Sequence, residues 1–299
     1  MSHDDSPTHR DPLTRFVPIE LLRKLAPDDL GAIDRVQSVG EPASILFADI
    51  RGFTALSETL SNRELLSFLN RIFERICPPI YAHHGIVDKF IGDAVMAIFT
   101  SDSATADNAV QAAVDMQLAM DKVHDGLLDG RRIEIGVGIH TGEIIIGTVG
   151  YDDRLSTTVL GDSVNLASRI EGLTKHYGCR ILISGDTLAS VNDRKAIKYR
   201  EIDWLRVKGK SKPVVIYEVC NADPSDVWKI KKEAGKFIKQ GLMSRHMQEW
   251  YVAISCFTKA LAAYPQDKAA MFHIEQIYRL MHRPLGENWD GAIDPDRLG

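Results

Sequence analysis

The segment between residues 44 and 149 constrains the fold most, because short apolar runs of strand length alternate in it with longer amphipathic stretches. The run at 45–48 is typical of a buried strand, and residues 62–82 carry apolar side chains at helical spacing. Two further apolar runs, at 86–90 and 94–99, flank Gly92-Asp93 and predict a β-hairpin. The first elements of the chain are therefore expected in the order β-α-β-β.

The remaining pattern predicts an α+β fold. A second amphipathic helix is expected at 104–123, strands at 133–140 and 143–149, and a third helix that begins near Asp162, whose carboxylate is a reasonable N-cap. Short strands are expected at 180–183, 197–204 and 214–219. Helices carried on a mainly antiparallel sheet in the order β-α-β-β-α-β predict a ferredoxin-like core spanning residues 41–220.

The two ends of the chain differ from this core. Residues 1–40 combine a polar, disordered start at 1–12 with a short helical lead-in, and residues 221–299 form a charged helical tail. Six side chains of the tail are spaced like one tetratricopeptide unit: Trp250, Ala253, Phe257, Ala260, Leu261 and Pro265. An ordinary helical hairpin explains the spacing equally well. Because one such unit cannot bury both faces, we expect the tail to pack against the core or a protein partner.

The composition argues against several classes of protein. The chain has 299 residues and a net charge of −5, without the clustered Lys and Arg that a nucleic-acid binder needs. Its four cysteines include no Cys-x-x-Cys pair, which fits reduced thiols in a cytoplasmic protein better than disulfides or a zinc site. No apolar run approaches the ~20 residues that span a bilayer. We expect a soluble cytoplasmic protein with no membrane span.

Two aspartates are the first candidates for chemistry. Asp49 follows the first strand, and the backbone N–H groups of Gly52, Phe53 and Thr54 come just after it, so a carboxylate and several donors can face one anion. Asp93 lies in the predicted hairpin turn. Each aspartate alone is more often a turn former or helix cap than a ligand. At adjacent strand ends, however, the pair can hold two Mg²⁺ ions and a triphosphate.

A second candidate pair lies on the third predicted helix. Asn165 and Arg169 are four residues apart, so their side chains share one face and can reach the same substrate. Spacing alone favours the interpretation that both are ordinary surface residues without a role in a site. The argument for a site therefore depends on the motifs around these residues.

Four segments together resemble the successive motifs of the class III nucleotidyl cyclases. They are residues 47–54 (FADIRGFT), 88–97 (DKFIGDAVMA), 138–143 (GIHTGE) and 158–169 (TVLGDSVNLASR), and their order and spacing also match that family. The resemblance implies an adenylate cyclase that converts ATP to 3′,5′-cyclic AMP and pyrophosphate for intracellular signalling. By position, Asp49, Asp93 and the backbone carbonyl of Ile50 would hold two Mg²⁺ per site, for which Mn²⁺ can substitute. Asn165 would orient the ribose, and Arg169 would stabilise charge on the phosphoryl group.

The same resemblance implies that Lys89 and Thr158 read the base. A Lys ammonium only donates and suits adenine N1, whereas a Thr hydroxyl can accept from the adenine N6 amino group. Guanylate cyclases of the family carry Glu and Cys at these places, so ATP is the expected substrate, and Thr at the second place resembles the bacterial class IIIb subgroup. Thr157 is the alternative to Thr158, one residue away.

The resemblance also implies an assembly. In this family the metal carboxylates come from one chain of a homodimer, while Lys89, Thr158, Asn165 and Arg169 come from the other. Arg154 is the nearest candidate for a further phosphate contact. The alternatives are a guanylate cyclase and a non-catalytic cyclase-like scaffold whose tail binds a partner. A diguanylate cyclase is disfavoured, because the Gly-Gly-Asp/Glu-Glu-Phe loop of that family is absent.

Overall fold

A computed structural model describes residues 18–28, 37–100, 104–122, 132–151, 154–207, 212–282, 285 and 289–294. The predicted disordered start at 1–12 lies outside these residues. The described residues form nine helices and eight strands. In chain order they are α1 (Ile19–Leu25), β1 (Ser38–Ile50), α2 (Phe53–Ser57), α3 (Asn62–Ala82), β2 (Ile86–Ile91), β3 (Ala94–Phe99), α4 (Thr105–Asp121), β4 (Ile135–Tyr151), β5 (Arg154–Leu160), α5 (Asp162–Tyr177), β6 (Ile181–Ser184), α6 (Gly185–Ser190), β7 (Tyr199–Leu205), β8 (Val214–Val219), α7 (Ser225–His246), α8 (Trp250–Ala263) and α9 (Lys268–Met281).

One sheet contains all eight strands. Its order is β2-β3-β1-β4-β6-β8-β7, and β5 pairs with β4 beyond this path. β1 pairs antiparallel with β3 on one side and with β4 on the other. The order 2-3-1-4 of the first four strands, connected through α3 and α4, is the ferredoxin-like arrangement. The predicted α+β, ferredoxin-like fold is therefore confirmed.

Helix α3 fixes the first strands in place. It begins with a capping box, in which Ser61 Oγ accepts from the Glu64 N–H and the Glu64 carboxylate accepts from the Ser61 N–H. Such a cap contributes about 1 kcal/mol. The buried face of the helix packs into the cluster under β1 and β3 and consists of Phe68, Ile72, Ile76 and Ile80. This packing holds the ends of β1 and of the β2–β3 hairpin at a fixed separation.

The structure corrects the local predictions at several places. Residues 133–140 and 143–149 are not two strands, because β4 runs unbroken and every residue from 135 to 147 pairs with β1. Asp162 is not the N-cap of α5: Gly161 holds that position with φ 141°, and Asp162 is the first helical residue. Its carboxylate still lies at the positive end of the helix dipole. Strand β5 and helix α6 were not predicted, because neither has a clear periodicity in the sequence. Strand β5 is defined by its pairing with β4, and α6 by its packing on the sheet.

Helix α5 lies directly on β4, because two glycines leave room for its backbone. A Cβ atom at Gly138 would lie 2.2 Å from the backbone nitrogen of Glu171, and one at Gly136 would lie 2.2 Å from Thr174 Oγ1. Gly136 is also the register partner of Asp49 on β1. The close approach therefore fixes α5 relative to the end of β1.

The C-terminal helices α7, α8 and α9 pack against the rest of the chain. Their buried side chains share one hydrophobic cluster with α5, β6, β7 and β8. Buried ion pairs cross the same boundary: Arg245 donates to Asp203 Oδ1 at 2.5 Å, and Arg200 pairs with Asp267. The structure therefore places the tail against the core, one of the two positions expected for it. The tetratricopeptide assignment, the boundary at residue 220 and a protein partner for the tail stay predictions.

Two further expectations can be compared with the described residues. Cys77, Cys179, Cys220 and Cys256 are free, and the last three are buried, as expected for packing residues. Burial raises the pKa of the Cys77 thiol to about 11. In the described part of the chain, none of the helices has both the length and the apolar content needed to cross a bilayer.

Candidate active site

Asp49 and Asp93 lie side by side at neighbouring strand ends. Asp49 is the penultimate residue of β1, and Asp93 lies in the two-residue turn between β2 and β3, where Gly92 has φ 63°. Burial acts to raise the pKa of Asp49, but hydrogen bonds with Asp93 and Lys175 outweigh it and leave that pKa below its usual value. Burial, hydrogen bonding to Asp49 and the Asp49 charge together raise the pKa of Asp93 to about 7. The structure thus brings the two predicted metal carboxylates together.

The surroundings of this pair suit a hard cation. Asp49 Oδ1 is buried and has no hydrogen-bond partner among the described residues. The ligand atoms offered here are carboxylate oxygens, which Mg²⁺ prefers over nitrogen or sulfur. Lys175 Nζ lies 2.8 Å from Asp49 Oδ2, so a positive charge already occupies one side of the carboxylate. Ile50 ends β1 beside Asp49 and is buried.

Sequence reasoning missed two charged residues of this region, Glu171 and Lys175, which are one turn apart on α5. Glu171 is 8% exposed, and its Oε1 has no hydrogen-bond partner among the described residues. Burial and then the charge of Asp49 raise the pKa of Glu171 to about 7. The only available signal was the i, i+4 spacing of opposite charges, which is also common on solvent-exposed helix faces.

Arg51 connects the end of β1 to the end of α5. Its guanidinium donates to the carbonyl of Thr174 at 3.3 Å and to that of Cys179. Its backbone N–H donates to the carbonyl of Glu134 at 2.9 Å. A cation at a helix C-terminus satisfies carbonyls that lack helical partners and complements the helix dipole. Arg51 therefore helps to hold Asp49 against α5.

Lys89 and Thr158 meet although they belong to different hairpins. Lys89 Nζ donates to Thr158 Oγ1 at 3.2 Å and lies 3.2 Å from Asp88 Oδ2, whose side chain is fully buried. Asp88 thereby directs the ammonium towards Thr158. Thr157, the alternative, is 8% exposed and its hydroxyl has no partner among the described residues. The geometry therefore favours Thr158 as the partner of Lys89.

Asn165 and Arg169 lie near the start of α5, away from Asp49. At about 100° per residue, Arg169 is about 120° around the helix from Lys175, the residue that contacts Asp49. Asn165 precedes Lys175 by ten residues, or about 15 Å along the helix axis. Asn165 and Arg169 are thus near each other on α5, and Arg169 lies on a different side of the helix from Lys175.

Of the other predicted site residues, Gly52, Thr54 and Arg154 are exposed, and Phe53 is partly buried against the core. Gly52 is the N-cap of α2 with φ 70°, and Phe53 and Thr54 are the first residues of that helix. The first N–H groups of a helix have no partner within it, so this turn presents donors close to Asp49. Arg154 begins β5 opposite Tyr151, at the outer end of the β4–β5 hairpin and four residues before Thr158.

A second group of possible metal ligands has a structural role. Glu218, Cys220 and Asp223 have ligand atoms within 4.8 Å of one another. However, Lys231 Nζ lies 2.8 Å from Glu218 Oε1 and 2.7 Å from Asp223 Oδ2, and Arg200 Nε donates to Glu218 at 2.6 Å. Burial alone would raise the pKa of Glu218, but these two cations lower it to about 2. Lys231 thus holds α7 on the sheet in the place where a metal would bind.

Comparison with known proteins identifies relatives of this chain. The sequence model of the adenylate and guanylate cyclase catalytic domain matches residues 36–220. An adenylate cyclase of Anabaena cylindrica is 41% identical over 216 residues, which are 70% of this chain and 43% of that protein. The chain therefore spans less than half of this relative.

Two solved structures have a similar fold. The guanylyl cyclase Cya2 is 36% identical, with a TM-score of 0.55, and the similarity covers 63% of this chain and 97% of that one. The adenylyl cyclase CyaB from P. aeruginosa is 33% identical, with a TM-score of 0.53, and covers 61% of this chain and 95% of that one. Fold similarity alone therefore does not distinguish an adenine from a guanine nucleotide.

Proposed function

The chain belongs to the adenylate and guanylate cyclase catalytic-domain family, and from this premise we propose that it is an adenylate cyclase that converts ATP to 3′,5′-cyclic AMP and pyrophosphate. The observation that carries the choice of ATP is the contact between Lys89 and Thr158. An ammonium that donates to adenine N1 and a hydroxyl that accepts from the N6 amino group match adenine. Guanine presents the reverse pattern at those two positions.

The proposed reaction is an intramolecular phosphoryl transfer. Two Mg²⁺ bound at Asp49, Asp93 and the Ile50 carbonyl would lower the pKa of the ribose 3′-hydroxyl and neutralise charge on the phosphates. Asn165 orients the ribose so that its 3′ oxygen faces the α-phosphorus. The new bond joins that oxygen to the α-phosphorus, the bond to pyrophosphate breaks, and the hydroxyl proton leaves to solvent.

The remaining site residues bind the phosphates. Arg169 donates to the α-phosphoryl oxygens, where negative charge increases in the transition state, so its contribution is greatest there. The N–H groups of Gly52, Phe53 and Thr54 face the triphosphate, and Arg154 contacts its far end. Arg154 is the least constrained of these assignments, since it lies at the exposed end of a hairpin.

We propose that two copies of the chain complete each site. In one chain, Arg169 points about 120° away from the side of α5 that contacts Asp49. Large apolar side chains are exposed on β2 and β5, the strands that carry Lys89 and Thr158, and on β4 beside them, namely Phe90, Ile91, Leu155, Leu160, Ile145, Val149 and Tyr151. A homodimer buries such surface, and it also brings Asp49 and Asp93 of one chain to Lys89, Thr158, Asn165 and Arg169 of the other. The proposed location is the cytoplasm, where ATP is available and thiols stay reduced.

The direct test is identification of the product. Purified chain is incubated with ATP or GTP in the presence of Mg²⁺ or Mn²⁺, and the products are identified by mass spectrometry, with Asp93→Asn as the inactive control. We expect cyclic AMP from ATP and little cyclic GMP. Cyclic GMP as the main product would establish the guanylate cyclase alternative. The similarity to the guanylyl cyclase Cya2 is compatible with that alternative. No cyclic nucleotide from a dimeric, folded sample would favour the scaffold alternative.

A further inference from the structure

The region of the proposed metal site contains a carboxylate and a lysine, Glu171 and Lys175, that lie outside the four motif segments described above. We propose that Glu171 is a further residue of the cation site, and that Lys175 is the internal cation that balances the site until divalent metal ions enter. The inference rests on the proposed cyclase function, because it concerns the same pair of aspartates.

The position of Glu171 supports the first part. The residue is more than nine-tenths buried, yet its Oε1 has no hydrogen-bond partner among the described residues. That oxygen lies 3.1 Å from the point where a Cβ of Gly136 would be, and Gly136 is the register partner of Asp49. A buried carboxylate oxygen without a donor is costly, so a ligand that supplies positive charge is expected at this point. Asp49 Oδ1 is likewise buried and has no hydrogen-bond partner among the described residues.

The position of Lys175 supports the second part. Its Nζ lies 2.8 Å from Asp49 Oδ2, while its side chain is 50% exposed. The ammonium can therefore leave for solvent without unfolding any element, and a half-exposed ion pair contributes little to stability. Arg51, another cation at this end of β1, is held by the carbonyls of Thr174 and Cys179. Lys175 is thus the positive charge at this site that is free to be displaced.

These two roles predict opposite effects on metal affinity. Removing the charge of Glu171 takes a negative group from the site, so divalent ions should bind more weakly. Removing the charge of Lys175 takes away a competing cation, so they should bind more tightly. A change that merely disturbed the packing of α5 would weaken binding in both variants.

The experiment is a titration of the full 299-residue chain with Mn²⁺ in the absence of nucleotide, in which the electron paramagnetic resonance signal measures free Mn²⁺. We expect Glu171→Gln to weaken binding and Lys175→Met to strengthen it, each by about 3- to 10-fold, the size of effect expected for one charge near a divalent ion in a partly solvated site. Lys175→Arg keeps the charge and should bind Mn²⁺ like the wild type. Glu74→Gln and Lys229→Met, at exposed positions on α3 and α7, are the matched controls and should have no effect.

The outcomes separate this inference from the proposed function. Asp93-dependent Mn²⁺ binding that is unchanged in Glu171→Gln, or unchanged or weaker in Lys175→Met, overturns the inference and leaves the cyclase proposal intact. If wild-type binding survives in Asp93→Asn, or is absent altogether, the metal site of the proposed function is wrong and the inference fails with it. Lys175 is exposed, so its variant remains a valid test even if Glu171→Gln does not fold.

Discussion

In the proposed site, two side chains, Lys89 and Thr158, select the nucleotide. The two side chains are 69 residues apart in the sequence, and the structure places them 3.2 Å from each other. Each offers one hydrogen-bonding group to the edge of the base. A site built for one edge pattern leaves buried groups unpaired when the other base enters.

Base selection should therefore change when both residues change. In the variant Lys89→Glu with Thr158→Cys, the donor and acceptor roles are altered, so we expect ATP turnover to fall and the preference to shift towards GTP. Discrimination of this kind can reach ~10⁴-fold. The measurement is kcat/KM for both nucleotides. Thr157→Cys is the matched control and should keep the preference for ATP; unchanged ATP preference in the double variant would show that the base is read elsewhere.

In the proposed site, the negative charge of Asp93 binds metal ions. Without metal, the same charge lowers the stability of the fold. Burial and the neighbouring Asp49 raise the pKa of Asp93 to about 7. Its raised folded pKa means that the folded chain binds the proton more tightly than the unfolded chain does. The stability of the metal-free chain therefore falls as the pH rises from 3.8 to about 7, and the full loss persists above pH 7, where Asp93 is ionised.

We predict that Asp93→Asn separates activity from stability. Turnover should fall by at least about 100-fold, because the position serves a metal ion that stabilises transition-state charge. Without metal at pH 8, the melting temperature should be equal to or higher than that of the wild type, since a repelled charge is removed. Thermal unfolding by circular dichroism, with and without Mg²⁺, measures both. A marked loss of stability in the metal-free state would indicate a structural role instead.

At the scale of elements, α5 is the helix on which the site depends. Its start carries Asn165 and Arg169, and its end carries Lys175 beside Asp49. The C-terminal helices hold that end in place: Tyr177 donates to Asp203 Oδ2 at 2.5 Å, Arg245 donates to Asp203 Oδ1, and Phe272 packs edge-on against Tyr177. The tail thus stabilises the helix that carries the proposed chemistry.

Arg245 should be the most sensitive residue of this contact. Both Arg245 and Asp203 are 0% exposed, and removing one partner of a buried pair leaves an uncompensated charge, at a cost of about 3–5 kcal/mol. We expect Arg245→Met to lower the free energy of unfolding by that amount in urea titrations. Arg279→Met is the control, because Arg279 and Glu275 form an exposed i, i+4 pair worth only about 0.3–0.5 kcal/mol. Equal small effects in both variants would contradict the proposed anchoring.

His273 on α9 makes the same contact sensitive to acid. Its Nδ1 accepts from Arg245, which can only donate, and its Nε2 donates to the Ile202 carbonyl at 2.8 Å, so the ring is neutral. Burial lowers its pKa to about 4. Between about pH 6.5 and pH 4 the unfolded chain binds a proton that the folded chain does not, so stability falls as the pH falls through this range.

Replacing His273 should remove part of that pH dependence. The shift corresponds to about 3 kcal/mol between the two ends of the range. We expect His273→Gln to show a smaller loss of unfolding free energy from pH 7 to pH 4 than the wild type, measured by urea titration at each pH. His282→Gln, at the exposed end of the same helix, should keep the wild-type slope. An unaltered slope in His273→Gln would assign the acid sensitivity to other groups.

At the scale of the whole molecule, the position of α5 is the basis for the proposed dimer. Arg169, proposed to bind phosphate, lies on a different side of α5 from Lys175, which contacts the proposed metal ligand Asp49. A partner with the same surface, related by a two-fold axis, would bring the metal-binding and the phosphate-binding residues to one nucleotide and form two equal sites. The exposed apolar side chains of β2, β4 and β5 provide a surface for this contact.

Two inactive chains should therefore restore each other. Asp93→Asn lacks a metal ligand and keeps Arg169, while Arg169→Ala keeps both aspartates and lacks the phosphate contact. In a mixed dimer one site collects both defects, and the other is intact. Random exchange makes about half the dimers mixed, so activity should approach about a quarter of the wild-type rate per chain. Mixed dimers demonstrated by differential tags but without activity above either parent would contradict the shared site.

The sequence by itself determined most of the order of elements, apart from β5, α6 and the unbroken β4, and most of the residues proposed for the site. Strand and helix periods are local properties, so the core strands and the 62–82 helix could be predicted directly. Four of the proposed site residues lie within short motifs, namely Asp49, Asp93, Lys89 and Arg169. Such motifs can be identified without knowledge of distant contacts. The Gly92-Asp93 turn likewise depends on the backbone freedom of one residue.

Tertiary structure alone decided how these parts meet. Lys175 contacts Asp49 across 126 residues, a distance in the chain over which periodicity carries no information. The unbroken course of β4 depends on its pairing with β1. The orientation of α5 about its own axis depends on Gly136 and Gly138 of β4, which lie beneath it. That orientation places Arg169 on a different side of α5 from Lys175, which is why we propose that a second chain completes the site. Such features follow from packing between distant segments, whose free energy no local pattern of residues encodes.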